Sequence, residues 1–278
     1  MSAPLYPPQR PLSVGEILDL TFRIYRVTLM KCLPVAALAI LVSQLPALYL
    51  ILTGRGLAAR FATVMSEPGY RAIYFVSVVL SLSLNAAILL RQYHLSSGAQ
   101  AGGELPAALR RLLALILFTI LVILSMLACL VPAALLLVSR SYWPVVALVC
   151  GVLVSFVLVR LSSAYAVLVV TGSSAPASLR RSWSLTQGSF WRLTGIYTVA
   201  IVILMVFYFL VGTAAGFVFA LTATRADIIV ITAAYAVVAV ALGAFAVPFY
   251  MAVQLAVLGD LTTRREGADL AQRIAAPA

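Results

Sequence analysis

Six long stretches of the sequence consist almost entirely of apolar residues, and they constrain the fold more than any other feature. Each is long enough to cross the roughly 30 Å hydrocarbon layer of a membrane as a helix. A backbone inside lipid must satisfy its own hydrogen bonds, and these stretches lack the alternating polar positions of a barrel strand. The sequence therefore predicts an all-α polytopic membrane bundle of six transmembrane helices, with residues 1–278 forming one domain. The predicted spans are residues 33–52, 72–90, 112–138, 145–170, 194–221 and 228–258.

The charges predict how these spans are oriented. Hydrophobic residues make up 64% of the chain and charged residues 10%, against about 25% charged in a soluble domain. The Lys and Arg residues behind the net charge of +11 form no aromatic-interleaved basic patch, so nucleic acid is not a predicted partner. Thirteen of the 19 lie in residues 1–32, in the second and fourth connections and in the C-terminal tail, and five lie in the other three connections. The positive-inside rule then predicts that both termini are cytoplasmic.

Short amphipathic segments precede the odd-numbered spans, and each is predicted to lie as a helix along the cytoplasmic interface. The first falls within residues 1–32, where Ser13 and Glu16 have the spacing of a capping box. The alternative for this segment is a plain extension of the first span. The other two segments, 106–111 and 176–181, nearly repeat in sequence. They indicate three units of an interfacial helix and a two-span hairpin, although chance similarity in an Ala-, Leu- and Arg-rich chain explains six residues equally well.

Basic and aromatic residues near these segments are predicted to contact membrane lipids, or a protein partner, at the cytoplasmic face. Paired arginines suit the level of the lipid phosphates, and Trp prefers the headgroup region. The residues concerned are Arg110, Arg111, Arg180, Arg181, Trp183 and Trp191. In the predicted tail, residues 259–278, Asp260 and Arg264 have the i,i+4 spacing of an ion pair, as do Arg265 and Asp269.

Arg160 lies inside the fourth predicted span. A charged side chain there costs about 2.5–3.5 kcal/mol by insertion scales, so it is expected to face protein or water and to have a partner. Asn85 and Gln254 lie at a comparable depth, with Asp260 just below them. We expect Arg160 near one of these three side chains. Such a cluster forms either a structural lock between spans or a binding site for a lipid phosphate or another anion.

No group of residues shows the convergence that catalysis requires. His94 is the single histidine and has no metal-ligand partner at helical spacing, and the three cysteines lack CxxC spacing. The sequence therefore predicts no catalytic residues, no metal site, no cofactor and no enzymatic activity. The alternative of a membrane-embedded lipid hydrolase would require a serine, His94 and a carboxylate to meet.

Three motifs follow one another along the chain: an N-terminal motif RPLSVGEILD at 10–19, a central motif LRRSWSLTQGSFWR at 179–192 and a C-terminal motif DLTTRREGADL at 260–270. Together they resemble the glycerophosphoryl diester phosphodiesterase membrane-domain family, bacterial six-span proteins that are mostly uncharacterised. The family often has an acidic residue where this chain has 171–172 (Thr-Gly) and an aromatic pair where it has 258–259 (Leu-Gly). The family's name comes from relatives that also carry a soluble phosphodiesterase domain. With about 20 residues after the last span, that activity is not expected here.

The resulting hypothesis is a non-catalytic protein of the bacterial cytoplasmic (inner) membrane. It would act as a scaffold or accessory module that binds lipid or partner proteins through its cytoplasmic interfacial helices. The alternative is a carrier or channel for a lipid-like or anionic solute. A carrier predicts a continuous polar cavity around Arg160 that reaches both faces, whereas a scaffold predicts a closed bundle.

Overall fold

The computed structural model describes residues 5–53, 61–99, 102–135, 143–222 and 228–267, and every regular element in these ranges is an α-helix. The helices are α1 (Val14–Ser43), α2 (Leu45–Leu52), α3 (Phe61–Met65), α4 (Pro68–Ser96), α5 (Glu104–Arg110), α6 (Leu112–Leu135), α7 (Trp143–Leu161), α8 (Ala164–Thr171), α9 (Ala175–Leu185), α10 (Phe190–Thr222) and α11 (Ile228–Glu266).

Six segments of the described chain are long and apolar enough to cross a membrane. They are Val14–Ser43, Pro68–Ser96, Leu112–Val131, Pro144–Thr171, Phe190–Ala214 and Val237–Arg265. The chain is therefore a multi-pass α-helical membrane protein, and the predicted fold class is confirmed. Residues 136–138 of the predicted third span and 268–278 of the predicted tail lie outside the described residues.

The start of the bundle differs from the prediction of a separate interfacial helix within residues 1–32. α1 is one continuous helix, because its buried stripe keeps helical spacing across residue 33, where the first span was predicted to begin. Ile24, Cys32 and Ala36 belong to this stripe. The alternative, an extension of the first span, is therefore the correct description of this segment.

Both ends of α1 have a local cause. The predicted capping box is present, since Ser13 Oγ accepts the backbone N–H of Glu16 at 3.3 Å and the Glu16 carboxylate accepts that of Ser13 at 2.7 Å. The helix ends at Gln44, and α2 follows with Pro46 in its first turn. Because proline cannot donate an N–H, a helix start is the position where it costs least.

Two short helices, α5 and α9, precede the third and fifth spans, as predicted. Pro176 lies in the first turn of α9, after the N-cap Ser174. α9 buries one face, formed by Ala175, Ser178, Ser182 and Leu185. A short helix thus precedes the first span of both the second and the third predicted unit, whereas the first unit has a single fused helix.

The fourth predicted span is divided by a break at Ser162 and Ser163, between α7 and α8. A helix end leaves backbone carbonyl groups without partners inside the helix. Here the C=O of Arg160 accepts hydrogen bonds from the hydroxyls of Ser182, at 2.8 Å, and Thr186, at 3.2 Å. Side chains from α9 and the turn after it therefore stabilise the break and fix α9 beside the end of α7.

α1, α4 and α11 form the most closely packed part of the bundle, with α6, α7 and α10 around it. α11 approaches α1 so closely that a Cβ on Gly243 would lie 2.5 Å from Cγ1 of Ile40. α6, by contrast, exposes much of its Leu and Ile surface, which suits contact with lipid. The first turn of α1 and the last turns of α11 meet at one end of the bundle, and the candidate site lies there.

Candidate functional site

The segment that precedes α1, residues 5–13, crosses this end of the bundle. The backbone N–H of Tyr6 donates to the C=O of Ser96 at 3.1 Å, and the hydroxyl of Thr263 donates to the C=O of Pro8 at 3.1 Å. The segment thereby connects the C-terminal ends of α4 and α11. We call it the N-terminal segment below.

The ring of Tyr6 is buried where α11 carries a glycine. A Cβ on Gly259 would lie 2.8 Å from Cε2 of Tyr6 and 2.8 Å from Cδ of Pro8, so any larger residue would displace the N-terminal segment. Tyr6 also contacts Tyr93 edge-on, with the ring centroids 5.4 Å apart. The glycine at 259, a departure from the resembled family, therefore leaves room for an aromatic ring from the other end of the chain.

The most buried ion-pair network of the described chain centres on Asp260, whose side chain is 1% exposed. Its carboxylate accepts the backbone N–H of Leu12 at 2.7 Å, Nε of Arg264 at 3.1 Å and the guanidinium of Arg192. Both arginines also donate to the C=O of Leu12. We call this group the Asp260 cluster. The carboxylate of Asp260 thus receives a donor from each neighbouring part of the chain, which is the condition for burying it, although Nε of Arg192 has no partner in the described chain.

The sequence predicted only part of this cluster. The i,i+4 pair of Asp260 and Arg264 is confirmed. Arg192 and Leu12 were missed because they lie 68 and 248 positions from Asp260, and no local pattern reports a contact at that distance. The second predicted pair involves Asp269, which lies outside the described residues.

The Asp260 cluster brings together all three motifs. Leu12 belongs to the N-terminal motif, Arg192 to the central motif and Asp260 to the C-terminal motif. A second contact joins the last two, since the guanidinium of Arg265 donates to the C=O of Gln187. Motifs that are far apart in sequence thus form one packed end of the bundle.

Arg160 lies inside the fourth span, as the sequence predicted, but beside the break that divides it. Because α7 ends one residue later, Arg160 is in the last turn of a helix beside α9, rather than deep inside an unbroken span. Its guanidinium carbon lies 5.0 Å from the ring centroid of Trp183 and 5.3 Å from that of Phe156. Its Nη1 donates a hydrogen bond to the C=O of Trp183 at 3.4 Å. Its contacts thus go to none of the predicted neighbours, which were Asn85, Gln254 and Asp260.

A groove of about 600 Å³ runs between α6 and α7 and ends at α9. Its lining includes Ser125, Cys129, Leu153, Val157, Leu161, Arg180 and Trp183. We call it the α6/α7 groove. Its walls are mostly apolar, whereas its end at α9 presents the exposed guanidinium of Arg180. Neither Arg160 nor Arg180 forms an ion pair with any residue in the described part of the chain.

The other predicted interfacial residues divide into two kinds. Arg110 and Trp191 are exposed and Arg181 is partly buried. Arg111 differs from the prediction of a lipid contact, because its guanidinium donates to the C=O of Val169 and packs against Gly172, 3.2 Å from where a Cβ would be. Gly172 has a φ of +68° at the C-cap of α8. Arg111 therefore stabilises the end of a neighbouring helix.

Asn85 and Gln254 line a different part of the bundle. Two cavities of about 450 Å³ each lie between α6, α8, α10 and α11, with α7 at one and α4 at the other, and we call them the tyrosine cavities. Their shared wall consists of Phe118, Tyr165, Tyr250 and Gln254. Asn85 lines the second cavity, while Arg160 and Asp260 line neither. The predicted cluster of four residues is therefore distributed over three places.

The chain matches no family model, no curated protein and no solved structure. The resemblance carried by the three motifs therefore stays a prediction from the residues. What the structure adds is that these motifs contact one another.

His94 has a partner that the sequence did not reveal. Its Nδ1 lies 3.6 Å from a carboxylate oxygen of Glu104, which also accepts the backbone N–H of Gly102 at 2.8 Å. The hydroxyls of Ser96 and Ser97 donate to backbone carbonyls of their own helix rather than to His94's ring. Among the described residues, no three His, Cys, Asp or Glu side chains are grouped as a metal site would require.

Proposed function

We propose that this chain is a non-catalytic scaffold or accessory module of the bacterial cytoplasmic membrane that binds anionic phospholipid at its cytoplasmic face. The observation that carries the proposal is the end of the α6/α7 groove. There Arg180 and Trp183 line the groove three positions apart on the same helix, while Arg160 stacks on Trp183 without lining the groove itself. Neither arginine has a carboxylate partner among the described residues. Two unneutralised guanidinium groups favour an anionic ligand.

The groove has the composition that a phospholipid requires. An acyl chain fits the apolar walls formed by α6 and α7, and a phosphate placed beside Trp183 can accept hydrogen bonds from Arg180, with the positive charge of Arg160 on the far side of the Trp183 ring. Trp183 is 44% exposed, which suits an aromatic residue at the headgroup level.

The cytoplasmic placement of this groove is part of the proposal. α9 belongs to the fourth connection, one of those rich in Lys and Arg, which the positive-inside rule assigns to the cytoplasm. Membership of the glycerophosphoryl diester phosphodiesterase membrane-domain family is proposed as well, and the meeting of the three motifs at the Asp260 cluster supports it. The alternative of a carrier predicted a polar cavity around Arg160, but its guanidinium lies against two aromatic rings and the residue lines neither the groove nor the tyrosine cavities.

The test is the lipid that the protein retains. Wild type and the double variant Arg160→Gln/Arg180→Gln are placed in nanodiscs that contain equal amounts of phosphatidylglycerol and phosphatidylcholine. After release from the nanodiscs, the lipid bound to each protein is identified and quantified by native mass spectrometry. We expect the double variant to retain about thirtyfold less phosphatidylglycerol, at about 1 kcal/mol for each arginine. Arg71→Gln, which removes one exposed positive charge from the first turn of α4, is the control and retains as much as wild type.

Equal retention of phosphatidylglycerol by the wild type and by a correctly folded double variant would refute the proposal. If the double variant fails to accumulate, the single variant Arg180→Gln tests the proposal instead. Its side chain is exposed and makes no hydrogen bond in the described chain, so its loss is not expected to affect folding. A protein partner co-purifying in place of lipid, and lost with Arg180→Gln, would instead assign the same surface to protein binding.

A further inference from the structure

We propose that the tyrosine cavities bind an uncharged acylglycerol of the diacylglycerol type, at a site separate from the α6/α7 groove. The two cavities together form a bipartite space, since they are adjacent and share one wall. Each falls within the range of about 300–1,000 Å³ that is usual for small-molecule sites.

Buried polar atoms in the lining have no partner in the described chain. They are the hydroxyl of Tyr165 and the amide oxygen Oε1 of Gln254, while the hydroxyl of Tyr197 makes no hydrogen bond of good geometry but lies close to the hydroxyls of Ser162 and Ser163. Gln254 is 5% exposed, so water from the surface does not reach it freely. Unsatisfied polar groups buried in a protein are costly, so each of them calls for an explanation. A ligand that supplies the missing hydrogen bonds removes that cost.

These atoms define the chemistry of the ligand. The two tyrosine hydroxyls can donate to carbonyl oxygens, while Oε1 of Gln254 can accept from a hydroxyl. No Asp, Glu, Lys, Arg or His lines either cavity. A phosphate or carboxylate would therefore lose its hydration without gaining a counter-charge. A diacylglycerol has two ester carbonyls, one free hydroxyl and no charge, and so matches this set.

The remaining lining suits acyl chains and access from the bilayer. Most of the other wall residues are Leu, Val, Ile, Met or Phe. Tyr208 and Tyr250, which line the second cavity, are 44% and 38% exposed, so this cavity reaches the lipid-facing surface of the bundle. Gln254 lies six positions before Asp260 on the same helix, about 9 Å along its axis. The polar wall is thus at the depth of one leaflet, where a glycerol ester would lie.

The experiment measures binding of a photoactivatable diacylglycerol to the full chain in phosphatidylcholine nanodiscs. We expect Tyr165→Phe and Tyr197→Phe each to weaken binding about fivefold, the effect of one lost hydrogen bond. Tyr49→Phe, which also replaces a partly buried tyrosine but lies away from the cavities, is the matched control and binds as wild type does. Triacylglycerol, which lacks the free hydroxyl, is expected to compete more weakly than diacylglycerol.

Thermal unfolding separates a binding role from a structural one. In detergent without lipid, Tyr165→Phe is expected to unfold at or above the wild-type temperature, since the hydroxyl that it loses has no protein partner, whereas Tyr197→Phe also loses the contact with Ser162 and Ser163. Added diacylglycerol then stabilises the wild type more than the variants. Unchanged binding by the Tyr165→Phe/Tyr197→Phe double variant would overturn the proposal, as would competition by phosphatidylglycerol as strong as that by diacylglycerol. Arg160→Gln/Arg180→Gln is expected to bind diacylglycerol normally, so the two proposals fail independently.

Discussion

Asp260 is a carboxylate almost completely removed from solvent, and it accepts hydrogen bonds from two guanidinium groups and one backbone N–H. Moving such a group out of water is costly unless each of its lone pairs finds a donor. The donors here come from α10, α11 and the N-terminal segment. A change at this single residue therefore affects three separate parts of the chain at once.

We predict that Asp260→Asn lowers the free energy of unfolding by about 3 kcal/mol, because it leaves two buried arginine contacts without a counter-charge. Denaturant titration of the purified protein in detergent measures this loss. Asp19→Asn removes the same charge from an exposed position of α1 and is expected to change stability by less than about 0.5 kcal/mol. If both variants had the same stability, the Asp260 cluster would not stabilise the fold.

Individual residues also show where prediction from sequence reaches its limit. The pairing of Asp260 with Arg264 could be predicted because it depends on helical spacing alone. The placement of Arg160 could not, since the break after α7 depends on hydroxyl groups from Ser182 and Thr186. The unpaired hydroxyl of Tyr165 likewise results from the packing of separate helices.

At the level of helices, most of the fold followed from the sequence. Apolar length predicted the six spans, and α5 and α9 were predicted from their proline and arginine patterns. The errors concern continuity: α1 joins two predicted elements, the fourth span is divided, and α11 extends eight residues past its predicted end. Whether a helix continues or breaks depends on neighbours that satisfy its backbone, and hydropathy does not report them.

The contact between the N-terminal segment and α11 predicts that a glycine-to-alanine change in this helix lowers stability, where such a change normally raises it. Replacing a helical glycine by alanine normally stabilises a helix by about 1 kcal/mol. Gly259→Ala is expected to destabilise the protein instead, because the new methyl group would lie 2.8 Å from both Tyr6 and Pro8. Gly195→Ala, on α10 with no atom within 4 Å of the new Cβ, is expected to show the normal gain. Thermal unfolding in detergent compares the two.

Removal of residues 1–9 tests the cause of that destabilisation. In the shortened chain, Gly259→Ala is expected to stabilise α11, since Tyr6 and Pro8 are no longer present. A destabilising effect of the same size in both backgrounds would show that Gly259 serves something other than the N-terminal segment.

On the scale of the whole molecule, the two described ends of the chain lie at the same end of the bundle. The hydrogen bonds from Leu12 to Asp260 and from Thr263 to Pro8 require it, and an even number of spans agrees with it. The sequence predicted the same arrangement from its Lys and Arg distribution, without any knowledge of these contacts. Charge and packing are independent physical effects, and here they point to one topology.

Fusions to the two ends test this topology. We predict that green fluorescent protein at either the N-terminus or the C-terminus is fluorescent in a bacterial host, because both ends are proposed to be cytoplasmic. Alkaline phosphatase at the same two positions is expected to be inactive. The control fusion, with alkaline phosphatase inserted after Ser66 in the first connection, is expected to be active. Activity of alkaline phosphatase at one end only would contradict the proposed six-span topology.

The contacts of Tyr6 and Leu12 with α11 have a consequence for how the protein is synthesised. A chain leaves the ribosome from its N-terminus, so these residues are synthesised long before Asp260. Until the last helix has been inserted, Tyr6 can contact only α4, and the backbone amide of Leu12 lacks its acceptor on Asp260. A chain whose translation stops before α11 therefore lacks the contacts that hold its N-terminal segment on that helix.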